Sequence, residues 1–119
     1  MAFRKLLQRL TTTDAELDRE RLRVFCHDVP GVTTIGEAAP RKEVTVAGEI
    51  SSLRIVPRAG SPSLEATVTD GTGSLVVVWT GRRKIPGVAP GTRLVLSGRG
   101  APHGAGGRLM VLNPRYELL

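Results

Sequence analysis

Residues 64–79, LEATVTDGTGSLVVVW, decide the fold of this chain. Leu64, Ala66 and Val68 alternate with Glu65, Thr67 and Thr69, the period-2 pattern of a strand with one face buried. Asp70-Gly71-Thr72-Gly73 then supplies turn residues that tolerate positive φ, as a tight strand reversal needs. Ser74 to Trp79 return as a second strand. Its near-continuous valine places it towards the middle of a sheet, where both faces are covered.

Working outward, strand patterns recur on both sides of this hairpin. A first strand is expected over 43–54, with Val44, Val46 and Ile50 pointing inward and Gly48 marking a bulge or sharp coil. Residues 55–62, with Pro57, Gly60 and Pro62, read as the connecting loop. Residues 81–91 are too broken by Pro86, Gly87, Pro90 and Gly91 for a long helix. A fourth strand follows over 92–99, a glycine-rich loop over 100–107 and a fifth strand over 108–112; after Asn113-Pro114, residues 115–118 close the domain. Five strands in roughly 75 residues, with a long first strand, match a small closed barrel of the OB type. An SH3-like barrel has the same strand count, and connectivity is not written in the pattern.

Before residue 41 the pattern is helical. Phe3, Leu6, Leu7 and Leu10 have the spacing of a short amphipathic helix, and Thr13-Asp14-Ala15-Glu16 fits a capping box that starts a second helix over 14–26. Arg19, Arg21 and Arg23, interleaved with Asp18 and Glu20, read as a solvated ion-pair surface. Pro30-Gly31 ends the region. The expected organisation is an N-terminal helical extension over 1–40 and a barrel over 41–119.

The 119 residues carry 17 Lys and Arg against 11 Asp and Glu, net +6. Residues 1–40 hold six basic and six acidic side chains, so the whole excess lies in the strand-rich part. That favours an anionic partner, nucleic acid first. Cys26 is the only cysteine, which rules out an intrachain disulfide and points to a reducing, cytoplasmic setting. No apolar run approaches a membrane span.

Segment 43–118 resembles OB-fold nucleic-acid-binding domains, in particular the wedge domain of RecG helicases and small actinobacterial proteins that carry such a domain. The resemblance rests on Val44-Thr45-Val46-Ala47-Gly48-Glu49-Ile50, Thr69-Asp70-Gly71-Thr72-Gly73-Ser74-Leu75, Pro90-Gly91-Thr92-Arg93-Leu94-Val95-Leu96-Ser97-Gly98 and Asn113-Pro114-Arg115-Tyr116-Glu117, in that order. It implies a mainly β, five-stranded OB-fold Greek-key barrel with a short N-terminal helical segment. It also implies binding of single-stranded or junction nucleic acid across strands 2 and 3 and the loops after strands 1 and 4.

OB domains hold single strands with a basic groove and aromatic platforms. The candidate nucleic-acid contacts are Arg54 and Arg58 around the loop after strand 1, and Arg82, Arg83 and Lys84 after strand 3. Arg93 and Arg99 on strand 4 and Arg108 on strand 5 complete the basic set. Arginine suits phosphate because its planar fork donates several hydrogen bonds at once. Trp79 is either a base-stacking platform or a core residue, since it shares strand parity with Leu75 and Val77; Tyr116 is expected to pack at the barrel end. With so few platforms, binding should be dominated by phosphate contacts and sensitive to salt.

No catalytic set is visible. Cys26-His27 has no second pair at metal spacing, His103 has no acidic partner nearby in sequence, and Gly104-Ala105-Gly106-Gly107 is not followed by the lysine of a phosphate loop. Asp70 reads as a turn former. The sequence thus points to a non-catalytic protein without cofactor or metal, binding single-stranded nucleic acid, DNA above all, as an accessory to repair or recombination. The alternative is a protein–protein interaction module that uses the barrel and the N-terminal helices, with a protein partner from repair or replication; the placement of Arg54, Arg58, Arg82, Arg83 and Lys84 discriminates the two.

Overall fold

In the computed structural model the backbone is described from Ala2 to Leu119 and side chains from Asp14 onward. One α-helix, α1 (Ala2–His27), precedes a short 3-10 helix at Ile35–Glu37 and six strands. These are β1 (Glu43–Arg58), β2 (Ser61–Thr69), β3 (Ser74–Thr80), β4 (Arg93–His103), β5 (Arg108–Leu112) and β6 (Arg115–Leu118).

The alternation at 64–69 places Leu64, Ala66 and Val68 in the core, where they meet Leu75, Val77 and Trp79 of β3. β3 is buried over five consecutive residues, as its valine run requires. β1 reverses the expectation of a loop at 55–62. It continues to Arg58 and pairs with β2 down to Arg58 opposite Ser61, around a two-residue turn at Ala59-Gly60 in which both residues have positive φ. Pro57 and Pro62 sit opposite each other in this arm. Residues 52–58 of β1 have only β2 as a neighbour, so the missing N–H of Pro57 breaks no ladder through a sheet centre. The register of β1 shifts between Ile50 and Ser52, two residues beyond Gly48. Gly48 itself answers a different need: a Cβ there would stand 2.5 Å from Val68 Cγ1.

The strand order is β1-β2-β3-β5-β4-β6, with a further antiparallel pairing of β1 with β4. The five-stranded closed barrel expected from the sequence is corrected here. β5 and β6 lie in succession along the same strand, β4, and only β5 goes on to bond to β3. β6 pairs with β4 alone, so the ring of hydrogen bonds is left open beside it. The break is made by Asn113, at φ 48, whose backbone N–H donates to Val78 O and whose Oδ1 accepts from Thr80 N at 3.0 Å. Side chains fill the opening between β3 and β6. Trp79 meets Tyr116 edge-on at 5.6 Å between ring centroids, and Ile85 and Val88 from the loop after β3 are buried in the same core.

The two expected N-terminal helices are one. The capping box at Thr13 does not interrupt α1, because Ala15, Glu16 and Leu17 are good helix formers and nothing on either side forces a stop. The side chains of Phe3, Leu6, Leu7 and Leu10 lie outside the described residues. Towards its end α1 buries Leu22 and Cys26 against Ala47 of β1, with Val29 and Val32 packed alongside.

Asp70 does more than form a turn. Buried at the end of β2, it accepts from Thr72 N (2.9 Å), Thr72 Oγ1 (2.6 Å) and Gly73 N (3.3 Å), and its other oxygen accepts from Ile35 N at 2.8 Å. Thr72 Oγ1 in turn accepts from Gly36 N at 2.9 Å. One carboxylate therefore closes the β2–β3 turn and fastens the 3-10 helix onto it, which seats Ile35 in the core.

Candidate nucleic-acid interface

Strand parity sorts the outward side chains. Residues directly opposite in an antiparallel or parallel ladder share a face. Glu65 and Thr67 therefore face out with Val78 and Val76, and these with Leu112 and Met110. Met110 faces out with Ala101, and Arg108 with His103. Arg54 stands opposite Glu65 on the other flank, and Arg58 closes the same row. Arg99 follows the parity of Ala101 and stands opposite Glu43. The result is a single curved face over β1, β2, β3, β5 and β4, with valine, methionine and leucine along its middle and arginines around them.

Each predicted arginine can now be placed. Arg58 is half-buried, and its Nη2 lies 3.5 Å from Met110 Sδ. That reach takes its side chain over β2 and β3, above the row of Val76 and Val78, which are 2% and 0% exposed although they point outward. Arg99 and Arg108 are exposed on the same face and have no ion-pair partner among the described residues. Arg54 is exposed but committed: Nε (3.0 Å) and Nη2 (2.7 Å) both donate to Oε1 of Glu65, whose side chain is 7% exposed. The carboxylates near this face are thus taken, Glu65 by Arg54 and Glu43 by Arg115. Leu112, at the edge of the strip, is 48% exposed.

Arg82, Arg83 and Lys84 are exposed in the loop that follows β3, beside the β1–β2 arm, where Gly81 N donates to Pro62 O at 2.9 Å. They extend the far end of the face rather than its middle. Arg93 does not join it. Its guanidinium sits 4.4 Å from the centroid of the Phe25 ring of α1, and its Nε donates to Glu49 at 3.4 Å. It serves the seam between helix and sheet.

Trp79 is corrected as a platform. It is 5% exposed in the main core, edge-on to Tyr116, and its Nε1 has no hydrogen-bond partner among the described residues. Its ring would have to leave the core to stack on a base. Two side chains missing from the sequence reading are Met110 and Leu112, which form the apolar middle of the face. Their alternation with buried Leu109 and Val111 was legible; the β3–β5 pairing that gives it meaning was not.

Between the end of α1 and residues 32–37 lies a groove of ≈ 490 Å³, bordered by Glu20, Arg23, Cys26, Ala47 and Thr72. Cys26 at its floor is 3% exposed. Burial pushes the Cys26 thiol up to about 11, with Asp70 adding to the rise, Arg93 opposing it and Glu49 adding a little more. Among the described residues no three His, Cys, Asp or Glu side chains gather as a metal site. No described helix is long and apolar enough to cross a membrane.

No family model and no curated protein matches the sequence. Among solved structures the chain is similar to RecG in the structure of RecG bound to a three-way DNA junction, with a TM-score of 0.60 and 18% identity. The match covers 74% of this chain and 12% of that one, so the chain spans only a small part of RecG's length. The resemblance to RecG read from the sequence thus stands as a distant likeness of fold to its OB-like wedge.

Proposed function

We propose that this protein is a non-catalytic nucleic-acid-binding accessory that holds a single strand, DNA above all, across the outer face of β2, β3 and β5. The observation that carries the proposal is the convergence of Arg58, Arg99 and Arg108 around the Met110–Leu112 strip, with the neighbouring carboxylates already paired. Free guanidiniums on one curved face supply phosphate contacts, and the apolar strip gives bases a surface to lie against. Arg82, Arg83 and Lys84 would lengthen the path of the backbone beyond the tip of β3. The likeness to RecG, solved on a DNA junction, supports this reading at the level of fold.

Among the described residues the face carries no aromatic ring, so binding would draw on phosphates more than bases and show little sequence preference. Fluorescence anisotropy with labelled single-stranded and duplex oligonucleotides tests this directly. Binding at ~50 mM salt that weakens steeply by ~200 mM, with the single strand preferred, is the expected result. No binding at the lower salt would overturn the proposal, because electrostatic attraction is strongest there. A protein-docking role for the same face would appear as salt-insensitive association that does not need Arg58, Arg99 or Arg108.

A further inference from the structure

The sheet uses only one side of α1. At about 100° per residue, Leu22 and Cys26 share the side that meets Ala47, and Leu17 and Val24 fall on the side roughly opposite. Leu17 is 48% exposed and Val24 50% exposed, and no described element covers them, although Val24 also borders the groove at the end of the helix. The two are seven residues apart. In the sequence the same spacing runs back through Leu10 to Phe3, so Phe3, Leu10, Leu17 and Val24 form one seven-residue repeat along the 26-residue helix, with Leu6 in the fourth place of the first repeat. A strict seven-residue repeat is the period of helices that wind around each other, not of a helix docked on a sheet.

We propose that α1 pairs in parallel with α1 of a second copy of this chain through the Phe3–Leu10–Leu17–Val24 stripe. The charges beside the stripe argue for this occupant. In a parallel pair, the position before each repeat meets the partner position five residues further on. That brings Arg9 towards Asp14 of the second copy and Glu16 towards Arg21, opposite charges both times and on both sides of the seam. An antiparallel pair would set Asp14 against Asp14. The present partners are weak enough to exchange: Arg21 lies 3.7 Å from Asp18, both well exposed, and Glu16 has no ion-pair partner among the described residues. Since the sheet packs on the far side of the helix, the two sheets would diverge from the seam, each with its arginine face open. Thr13 and Glu20 in the fourth places of later repeats limit the affinity to the micromolar range rather than an obligate dimer.

Sedimentation velocity on the full chain from ~5 to ~200 µM tests the pairing, the range bracketing micromolar dissociation constants. A monomer–dimer equilibrium is expected, and Leu17→Asp should abolish it while leaving the circular-dichroism spectrum and melting curve of the fold intact, because Leu17 is 48% exposed and belongs to neither core cluster of the described residues. Leu10→Asp, one repeat earlier in the sequence, should do the same and guards against a local effect at Leu17. For the orientation, Leu6→Cys in a Cys26→Ser background should form an interchain disulfide under mild oxidation. A wild-type monomer throughout the range overturns the proposal, including the case in which the chain instead sediments with phosphatidylserine vesicles through the same stripe. A dimer that survives both Leu17→Asp and Leu10→Asp, or that keeps its mass but never cross-links at Leu6→Cys, overturns it as well. None of these outcomes depends on nucleic-acid binding.

Discussion

The outer surface of the sheet has two halves that look alike in sequence and behave differently in space. On β1 and the start of β4, under α1, Arg93 is held between Glu49 and the Phe25 ring. On β2, β3, β5 and the end of β4, away from α1, the outward valines lie under side chains of the sheet itself such as Arg58, and Arg58, Arg99 and Arg108 have no carboxylate partner among the described residues. The side chain is the same in both places, so the difference lies in what the topology brings alongside. Where an arginine finds a carboxylate and an aromatic face, it closes a seam; where its neighbours are Met110 and Leu112, it is left for an external anion. Arg54 is intermediate, exposed yet spent on buried Glu65.

The covered half can be broken at its anchor. Asp70→Ala leaves four backbone and hydroxyl donors without their acceptor and should cost about 3 kcal/mol by chemical denaturation, given charge-assisted bonds in a buried setting. A loss well under 1 kcal/mol would mean that the turn and the 3-10 helix hold without it. Arg54→Ala strands Glu65 with its charge mostly buried, and should lower stability by about 1–2 kcal/mol, discounted because Arg54 itself is exposed. The loss should be recovered by Glu65→Gln in the same chain; no recovery would show that the arginine stem, not its charge, matters.

Arg93→Ala sharpens the contrast most cleanly. It should cost about 1 kcal/mol from the ring contact and a half-exposed ion pair, with oligonucleotide affinity little changed. A large fall in affinity at unchanged stability would move Arg93 into the interface. The smallest effect concerns Cys26. With its thiol pushed up to about 11, labelling by a thiol reagent at pH 8 should run roughly a hundredfold slower than for a free thiol, through both burial and a small thiolate fraction. The sign for stability follows: the folded chain keeps the proton that the unfolded chain gives up first, so this contribution is whole below about pH 9 and fades as pH rises through the folded value. Rapid labelling in native buffer would show that α1 lifts off the sheet.

The strands were legible because side-chain alternation is local. Leu64 to Val68 and Ser74 to Trp79 carry their own pattern, and Asn113-Pro114 announces a break. The extension of β1 and β2 through Pro57 and Pro62 was hidden because prolines read as loop unless the strand is known to be an edge there. The single helix was hidden because a capping box is a weak local preference that a continuous helix overrides. Asp70 has Thr72 and Gly73 as local partners, but its partner Ile35 and the partners of Trp79, Arg54 and Arg93 lie 11 or more residues away, and no short window contains them. The arginines of the candidate face were all named from the sequence; which of them stand free could only come from the β3–β5 and β1–β4 pairings.

The most direct test of the account is the salt dependence of single-strand binding by the Arg58→Ala, Arg99→Ala, Arg108→Ala triple variant beside Arg93→Ala. The account predicts that the triple variant loses about 2 from the slope of log affinity against log salt, at roughly 0.7 per phosphate contact, while Arg93→Ala keeps the wild-type slope. An unchanged slope in the triple variant, or the larger loss in Arg93→Ala, would contradict it.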